Sequence, residues 1–328
     1  MPRIALVTAR AARDLDEDLP PLVRALEKAS IDFAVTDWDD AAVDWSRFDL
    51  ALLRSTWDYT SRLPEFLDWV SRAGAATRVL NPPEVIRWNT DKHYLGDLAR
   101  AGVASVPSHF IEPGEDAAHL LDRFLTAHAS DEFVVKPSVG AGSRDAQRHG
   151  REERTQAIAH AQRLLDAGRS VLLQPYFTRV DEHGETALVY FGGVFSHAIR
   201  KGPLLRRGEG PTRALFAAEH ITPRVPNADE LRVAASALEA IPVAVADERP
   251  TLLPRAAGEE TTARAAIGGI KEKAPPLAYA RVDLIRDGTD APCVLELELT
   301  EPSLFFAHGE DAAQRFVQAI ATRLQPAP

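Results

Sequence analysis

The sequence has little that would cross-link the chain or hold it in a membrane. Its 328 residues include one cysteine, Cys293, which cannot form an intrachain disulfide and is compatible with a reducing cytoplasm. No apolar run approaches the roughly 20 residues that a membrane-spanning helix requires. The apolar stretch 3–8 is too short for a secretory signal and is typical of a buried strand. We therefore expect a cytoplasmic protein without a membrane partner.

Positive charge is also scarce. Lys and Arg number 38 against 48 Asp and Glu, which gives a formal net charge of −10. A chain with this balance does not neutralise a phosphate polyanion, so nucleic acid is not an expected partner. Only six of the basic residues are lysines, and three of the six lie in apolar or glycine-rich contexts. Such positions indicate a need for a compact ammonium rather than a planar guanidinium, although a coding bias explains the same count.

Strand and helix patterns alternate over the first 85 residues, which predicts a parallel sheet with crossover helices. The predicted strands are 3–8, 31–36, 48–54 and 78–80, and the predicted helices are 18–29 and 61–73. The fold class is therefore α/β, with a small Rossmann-like domain at the N-terminus.

The remaining chain combines short strands with further helices. Helices are predicted at 91–100, 116–128, 152–167, 228–240 and 309–323, and strands at 108–111, 132–136, 170–174, 185–191, 194–201, 278–286 and 293–299. We predict three domains, at 1–88, 89–175 and 176–328. Residues 246–276 are rich in Pro and Gly, lack periodicity and are predicted to be an inserted loop. The sequence leaves the oligomeric state open, and a homo-oligomer is compatible with it.

One predicted strand ends in a lysine and continues into a loop of small residues, in the segment 133–143 (FVVKPSVGAGS). Such a loop lets backbone N–H groups approach phosphate oxygens, and Lys136 adds a point charge to the same oxygens. This is not a Walker motif, because the lysine precedes the glycines. A structural strand followed by a glycine turn fits the same residues, so this motif alone decides nothing.

Acidic residues alternate with apolar ones on two neighbouring predicted strands. Arg281 and Asp283 share one face of the first strand, and Glu296 and Glu298 share one face of the second. A hairpin through residues 287–288 would bring the three carboxylates together. Clustered carboxylates raise one another's pKa unless a cation neutralises them, and their oxygens suit Mg²⁺. We favour a metal site over the solvated face of an exposed hairpin, because both flanks are strongly apolar.

Taken in order, these parts resemble the ATP-grasp superfamily, which includes D-alanine–D-alanine ligases and glutathione synthetases. The matching elements lie within 89–306 and are Asp91-Lys92, Val135-Lys136-Pro137 with its glycine loop, Gln174-Pro175-Tyr176-Phe177, Gly184-Glu185, Arg200-Lys201, Arg281-Val282-Asp283 and Glu296-Leu297-Glu298. Each element is short, but seven in the same order are specific. The resemblance implies an ATP-grasp fold and an ATP-dependent ligase that activates a carboxylate as an acyl phosphate for attack by an amine.

The resemblance also implies roles for individual residues toward ATP and Mg²⁺. The phosphates would be held by Lys92, Lys136, Lys201 and the loop residues Ser138, Gly140, Gly142 and Ser143. The adenosine would be held by Gln174, Tyr176 and Phe177, with Glu185 or Asp181 at the ribose. One or two Mg²⁺ ions would be bound by Asp283, Glu296 and Glu298, and Arg281 would stabilise an oxyanion. Many family members have Asn at the position of Glu298, so here the metal site is more negative.

Candidate substrate residues follow a strand of the first domain, at the edge where open α/β sheets bind ligands. Arg54 would anchor a carboxylate and Asp58 an amine, with Thr56 between them. An aromatic turn that packs on Trp88 fits these residues equally well. Ser303, in the segment Glu301-Pro302-Ser303, would complete the pocket together with the loop 202–214.

The segments 54–59, 87–92 and 296–303 are similar to one ATP-grasp branch, which closes the ring of D-cycloserine from O-ureido-D-serine. This branch implies a small amino-acid-like substrate whose activated carboxylate is attacked by a nitrogen of the same molecule. Two alternatives remain. One is an intermolecular ligase that joins an amino acid to an amine, and the other is a nucleotide-binding scaffold without turnover.

Overall fold

Three β-sheets organise the protein in the computed structural model, which describes residues 3–211, 220–242 and 277–324. The predicted insertion at 246–276 lies outside these described residues. Each sheet falls within one of the three predicted domain ranges, whose boundaries stay a prediction. No helix in the described ranges is long and apolar enough to cross a membrane.

The N-terminal sheet is parallel, as the alternating pattern predicts. Its strands are β1 (Arg3–Thr8), β2 (Asp32–Asp37), β3 (Leu50–Leu53) and β4 (Arg78–Leu80), in the order β2-β1-β3-β4. Helices α1 (Leu19–Lys28) and α2 (Leu63–Ala76) connect them. All four residues of β3 are buried, because helices and neighbouring elements cover both faces of the sheet.

The second sheet is antiparallel. Its strands are β5 (His109–Ile111), β6 (Glu132–Pro137), β7 (Gln147–Gly150) and β8 (Val171–Pro175), in the order β5-β8-β6-β7. Helices α3 (Pro83–Asn89) and α4 (Tyr94–Arg100) precede it, and α5 (Ala117–Ala127) and α6 (Arg154–Asp166) pack on it.

The third sheet carries the C-terminal half of the chain. Its strands are β9 (Glu185–Phe191), β10 (Val194–Lys201), β11 (Ile221–Arg224), β12 (Tyr279–Arg286) and β13 (Pro292–Glu298), in the order β11-β10-β9-β12-β13. Its helices are α7 (Arg179–His183), α8 (Ala228–Glu239) and α9 (Ala312–Ala321). The predicted hairpin of β12 and β13 is confirmed, with its turn around Asp287.

Four short elements differ from the sequence prediction. Helix α3 begins at Pro83, where a chain break is predicted, because proline is tolerated in the first turn of a helix. Strands β7 and β11 and helix α7 are not predicted at all. Strand β7 reads Gln-Arg-His-Gly without apolar alternation, and its polar side chains Arg148 and His149 are buried through partners on other segments.

The first and third sheets share a hydrophobic core. Leu50 and Leu52 of β3 belong to one cluster with Tyr279 of β12 and Phe316 of α9. Asn81 fastens the two sheets further, since its side chain donates to the carbonyls of Tyr279 and Leu299 and accepts from the Ala278 N–H. This junction fixes the N-terminal loops against the strands that carry the predicted metal and oxyanion residues.

Candidate active site

A cavity of about 520 Å³ lies between the second and third sheets, and loops of the N-terminal domain form part of its wall. It collects most of the residues that the sequence predicts for the site. Those that line it are Lys92, Lys136, Gly140, Gly142, Ser143, Gln174, Tyr176, Phe177, Glu185, Lys201, Arg281, Glu296, Glu298 and Ser303. Residues separated by more than 200 positions therefore face one volume.

The hairpin register brings the charged residues of β12 and β13 side by side. Arg281 lies opposite Glu298, and Asp283 lies opposite Glu296. A shift in the register follows at Asp283 and Leu284. Directly opposed residues in adjacent strands have Cβ atoms close enough for their side chains to interact. The alternation in the sequence thus produces one cluster of charges on one face of the sheet.

Asp283 is 1% exposed and binds two cations. Its Oδ2 accepts from Lys201 Nζ at 2.5 Å, and Arg281 Nε donates to its Oδ1 at 2.8 Å. Burial acts to raise the pKa of Asp283, but Arg281 and Lys201 outweigh it and hold the pKa at about 2. Asp283 therefore stays ionised and fixes the two cations that face the cavity.

Glu296 and two lysines form the next part of the wall. Lys92 Nζ lies 3.0 Å from Glu296 Oε1 and donates to the carbonyl of Gly140 at 2.6 Å. Lys136 enters the same region from β6, where burial lowers its pKa to about 8, and the nearby charge of Lys92 acts in the same direction. An anion placed between these ammonium groups would be attracted to both of them.

The pKa of Glu298 is raised, whereas that of Asp283 is lowered. The Glu298 carboxylate accepts from Arg281, yet burial, Asp283 and Glu296 raise its pKa to about 7. A carboxyl with this pKa is half protonated at neutral pH unless a further cation approaches. Glu298 is therefore the position in the cluster where an added metal ion would relieve the most repulsion.

The carboxylates differ in their access to a metal ion. Glu296 and Glu298 line the cavity, whereas Asp283 is behind Lys201 and Arg281. Within the described ranges, no three His, Cys, Asp or Glu side chains are arranged as a complete metal site. This arrangement fits Mg²⁺, which takes one or two protein carboxylates and completes its shell with phosphates and water.

The glycine loop approaches the cavity through its second half. Gly142 and Ser143 have φ values of 60° and 58°, a left-handed conformation that turns the backbone. Asp145 fixes the loop end because its carboxylate accepts from Arg169 at 2.7 Å, while Arg169 also donates to the Val139 carbonyl at 3.1 Å. Ser138, which is predicted to contact phosphate, is instead 2% exposed and outside the described cavity lining.

The end of β8 and the segment after it face the cavity with Gln174, Tyr176 and Phe177. The backbone of Tyr176 is used within the protein, since its N–H donates to Glu132 and its carbonyl accepts from Ser130. Asp181, an alternative ribose residue, accepts from Arg148 at 3.0 Å and from the Tyr176 hydroxyl at 2.6 Å. It is outside the described lining, whereas Glu185 is part of it.

The predicted substrate residues of the N-terminal domain have other partners. Arg54 and Thr56 are 1% and 0% exposed, and neither belongs to the described lining of the cavity. Arg54 Nη2 is 3.7 Å from Asp18 Oδ2, and Asp58 accepts from Trp38 Nε1 at 2.8 Å. Arg54 is buried, and Asp58, whose side chain is 25% exposed, is also outside the described lining, so their direct contact with substrate stays a prediction.

Trp57 and Tyr59, which flank Asp58 in the sequence, line the cavity, as does Glu301. Sequence reasoning treats the two aromatic residues only as a packing turn. Nothing in the sequence separates these two side chains from their neighbours, because the direction of a side chain in a short turn depends on tertiary packing.

The segment 300–306 is fixed along its whole length by side chains. Its first four carbonyl oxygens each accept from one side chain: Thr300 from Tyr279 at 2.7 Å, Glu301 from Trp57 at 3.2 Å, Pro302 from Arg54 at 3.5 Å and Ser303 from Arg281 at 2.9 Å. Three N–H groups then donate to the Asp18 carboxylate: Leu304 at 2.5 Å, Phe305 at 3.0 Å and Phe306 at 2.8 Å. This is the function that the structure gives to Arg54.

Solved structures with the same architecture define the class. A D-alanine–D-alanine ligase from Bacillus anthracis has a TM-score of 0.59 at 14% identity, and the match covers 99% of this chain and 97% of that chain. The ATP-grasp ligase PsnB has a TM-score of 0.60 at 15% identity, over 99% of both chains. These two comparisons show the fold alone. The chain therefore has the fold of the ATP-grasp ligases.

Closer relatives define the family. The family model of the N-terminal domain of D-cycloserine synthetase DcsG matches residues 4–81. The cycloserine biosynthesis protein DcsG of Streptomyces lavendulae is 41% identical over 324 residues, which cover 98% of this chain and 99% of that protein. The crystal structure of D-cycloserine synthetase DcsG has a TM-score of 0.82 at 39% identity, over 98% and 100% of the two chains. The chain belongs to the D-cycloserine synthetase DcsG family.

Proposed function

We propose that this protein phosphorylates the carboxylate of O-ureido-D-serine with ATP and then closes its ring by attack of the ureido nitrogen that is bonded to oxygen. The carbamoyl group on that nitrogen then leaves as isocyanic acid, which gives D-cycloserine. The observation that carries the proposal is that the three lysines line one cavity together with Arg281 and Glu298, in a chain 41% identical to DcsG over nearly its whole length. A carboxylate needs this activation because it is a poor electrophile at neutral pH.

The three lysines are suited to the phosphates of ATP. Lys92 and Lys136 would contact the α- and β-phosphates, and Lys201 the γ-phosphate, each as a compact point charge. Gly140, Gly142 and Ser143 would cover the phosphates, since their loop has no large side chain on the cavity side. Neutralising charge and aligning the groups is the main requirement for phosphoryl transfer.

Which residues would contact the nucleoside depends on which polar groups already have partners within the protein. The backbone of Tyr176 has protein partners and the Phe177 carbonyl accepts from the Val180 N–H, so we assign the adenine contacts to the Phe177 N–H and the Gln174 side-chain oxygen, with the Tyr176 ring beside the base. Glu185 would hold the ribose hydroxyls, because it lines the cavity and Asp181 does not; Lys201 lies 3.2 Å from its carboxylate. The D-alanine–D-alanine ligase from Bacillus anthracis has been solved with ATP, and PsnB with Mg and ADP.

Glu296 and Glu298 would hold Mg²⁺, one or two ions, which when bound would neutralise the transferred phosphate. Asp283 becomes a third ligand only if Lys201 releases one of its oxygens, as it would on turning toward the γ-phosphate. Binding to Glu298 requires the ionised carboxylate, so a metal ion would lower the pKa that burial raises.

Arg281 is placed for the second half of the reaction. Its guanidinium is held by Asp283, Glu298 and the Ser303 carbonyl, so its direction is fixed before substrate enters. A fixed cation stabilises the oxyanion that forms when nitrogen attacks the acyl phosphate. Ser303 and the Trp57–Tyr59 turn would enclose an amino-acid-like substrate of small size.

Product analysis tests the proposal. The purified protein is incubated with ATP, Mg²⁺ and O-ureido-D-serine, and ADP, phosphate and product mass are followed. We expect one ADP for each D-cycloserine formed, and neither without the substrate. Condensation of two substrate molecules would instead indicate an intermolecular ligase. ADP binding without ADP formation on any amino-acid substrate would indicate a scaffold.

A further inference from the structure

Glu301 differs from every other carboxylate on β12, β13 and their continuation. Asp283, Glu296 and Glu298 each have a lysine or arginine partner. Within the described ranges, Glu301 has no ion-pair partner within 4 Å, although it is only 8% exposed. Tyr59, a neutral group, provides a hydrogen bond to its side chain. A buried carboxylate without a cation is unfavourable as an anion and is therefore a good proton acceptor.

Its position is as constrained as that of the oxyanion residue. The Glu301 carbonyl is fixed by Trp57, and the carbonyls on either side are fixed by Tyr279 and Arg54. Two residues later, the Ser303 carbonyl accepts from Arg281. Glu301 on this fixed segment and Arg281 on β12, which the Ser303 carbonyl joins to it, therefore line one cavity, which is the arrangement that acid–base and oxyanion groups need around one reacting carbon.

We propose that Glu301 is the general base that removes the proton from the attacking nitrogen during ring closure. This inference rests on the proposed function. As the N–C bond forms, the nitrogen proton passes to a Glu301 oxygen. The C–O bond to the phosphate breaks, and phosphate leaves with that electron pair. Solvent accepts the proton from Glu301 before the next turnover.

The chemistry of the group is suited to this step. Burial, with a smaller contribution from the charge of Glu298, raises the pKa of Glu301 to about 8. A more basic carboxylate is a stronger proton acceptor than one with an ordinary pKa. Tyr59, whose pKa burial and Glu301 raise well above its usual value, stays a neutral donor that orients the carboxylate.

Glu301→Gln separates the two halves of the reaction. It keeps the size of the side chain and the backbone contacts, so the acyl phosphate should still form. Because ring closure is slow without the base, water should hydrolyse that acyl phosphate. We expect ring closure to fall by about 10²-fold or more. ADP formation should fall much less, so that the ratio of ADP to ring product rises from one to well above ten. Hydroxylamine should then trap the acyl phosphate as a hydroxamate.

The control is Glu27→Gln, an exposed carboxylate on α1, which should keep the ratio at one. Glu301→Asp should restore part of the ring closure, and an unchanged Kd for ADP reports an intact nucleotide site. If ADP and ring product fall together in Glu301→Gln, or if neither changes, Glu301 is not the base. If the wild-type protein forms no ADP with the substrate, the proposed function itself has failed.

Discussion

The two ends of the cavity are held by different interactions. At the end that we propose for the phosphates (the phosphate end), side-chain ion pairs fix the geometry: Lys92 with Glu296, and Lys201 with Asp283. At the end that we propose for the substrate (the substrate end), the backbone of 300–306 is fixed by side chains of the N-terminal domain and of β12. Arg281 contacts both ends, through Asp283 and Glu298 and through the Ser303 carbonyl. The ion pairs can exchange partners when an anion and a metal arrive, whereas the backbone groups of 300–306 are already held within the protein.

This difference suggests that the two ends of the cavity act in different steps of the reaction. Charges that exchange partners are suited to binding and releasing a nucleotide in every cycle. A backbone segment held at four carbonyls and three N–H groups is suited to positioning Glu301 and Ser303 beside a small substrate. The expected consequence is that changes at the phosphate end affect ATP cleavage, and changes at the substrate end affect the later ring closure.

The largest effect should come from Asp283→Asn. Loss of the charge that fixes both Arg281 and Lys201 should lower ATP-dependent ADP formation on the order of 10³-fold. The same change leaves two cations with less compensation, so thermal unfolding is measured alongside to confirm that the variant is folded. Activity within tenfold of wild type would contradict the assigned organisation of the phosphate end.

Lys136→Met should have the next largest effect. The ammonium contributes a charge-assisted contact worth ~3 kcal/mol, so kcat/KM for ATP should fall about 10²-fold while the Kd of the substrate is unchanged. The matched control is Lys28→Met, since Lys28 is exposed on α1. Steady-state kinetics with varied ATP gives kcat/KM for ATP, and a separate binding measurement gives the Kd of the substrate. An equal kcat/KM in Lys136→Met and Lys28→Met would exclude the phosphate contact.

Lys136 and Glu296 show how much of the site the sequence predicts. The hairpin, the parallel sheet, the antiparallel C-terminal strands and the charged cluster follow from alternation, because local periodicity determines which face a side chain occupies. Lys136 and Glu296 could be selected as candidates from this pattern alone. Their mutual distance could not, because it depends on how two sheets dock.

The substrate end is where prediction from sequence is weakest. Arg54 is selected as a substrate anchor because it follows a strand, yet it donates to the Pro302 carbonyl, which lies 248 positions further along the chain. Asp18 is not selected at all, although three backbone N–H groups converge on it. Backbone acceptors and donors have no residue-type signature, so contacts of this kind appear only in three dimensions.

Asp18→Ala tests that end directly. Three N–H groups lose an ionised acceptor, so 300–306 should loosen and the coupling of ADP formation to ring closure should fall about tenfold, with the Kd for ATP unchanged. Asp14→Ala is the matched control, because Asp14 is exposed on the same loop. A parallel loss of ATP binding would contradict the separation of the two ends.

Trp57→Phe should have a smaller effect of the same kind. It removes the donor to the Glu301 carbonyl, a neutral hydrogen bond worth ~1 kcal/mol, so ring closure should slow about fivefold. Trp88→Phe removes an indole donor outside the cavity, where Nε1 donates to Asp97, and should leave ring closure unchanged. Identical kinetics of the two variants would show that Glu301 needs no fixed carbonyl.

The smallest effect concerns stability and pH. Burial raises the pKa of Glu298 to about 7 and that of Glu301 to about 8, from an ordinary value of 4.5. Between those values the two carboxyls bind more protons in the folded protein than in the unfolded chain, so their contribution to stability is lost as pH rises. Below about pH 6.5 the buried His160 and His197, whose pKa burial lowers to about 4, bind fewer protons in the folded protein and offset this effect. Above it the two carboxyls dominate, so the Tm of the metal-free protein should decrease between about pH 7 and about pH 8. Mg²⁺ with ADP should reduce that decrease, and a flat or rising Tm would contradict the burial of these carboxyls.

The central claim is that ATP phosphorylates the substrate carboxylate in this cavity. Transfer of ¹⁸O from a carboxylate-labelled substrate into released phosphate, followed by ³¹P NMR, tests it most directly. We expect one ¹⁸O in each phosphate released with ring product, because the acyl phosphate C–O bond is the one that breaks. Phosphate without label, in reactions that still form ring product, would contradict it.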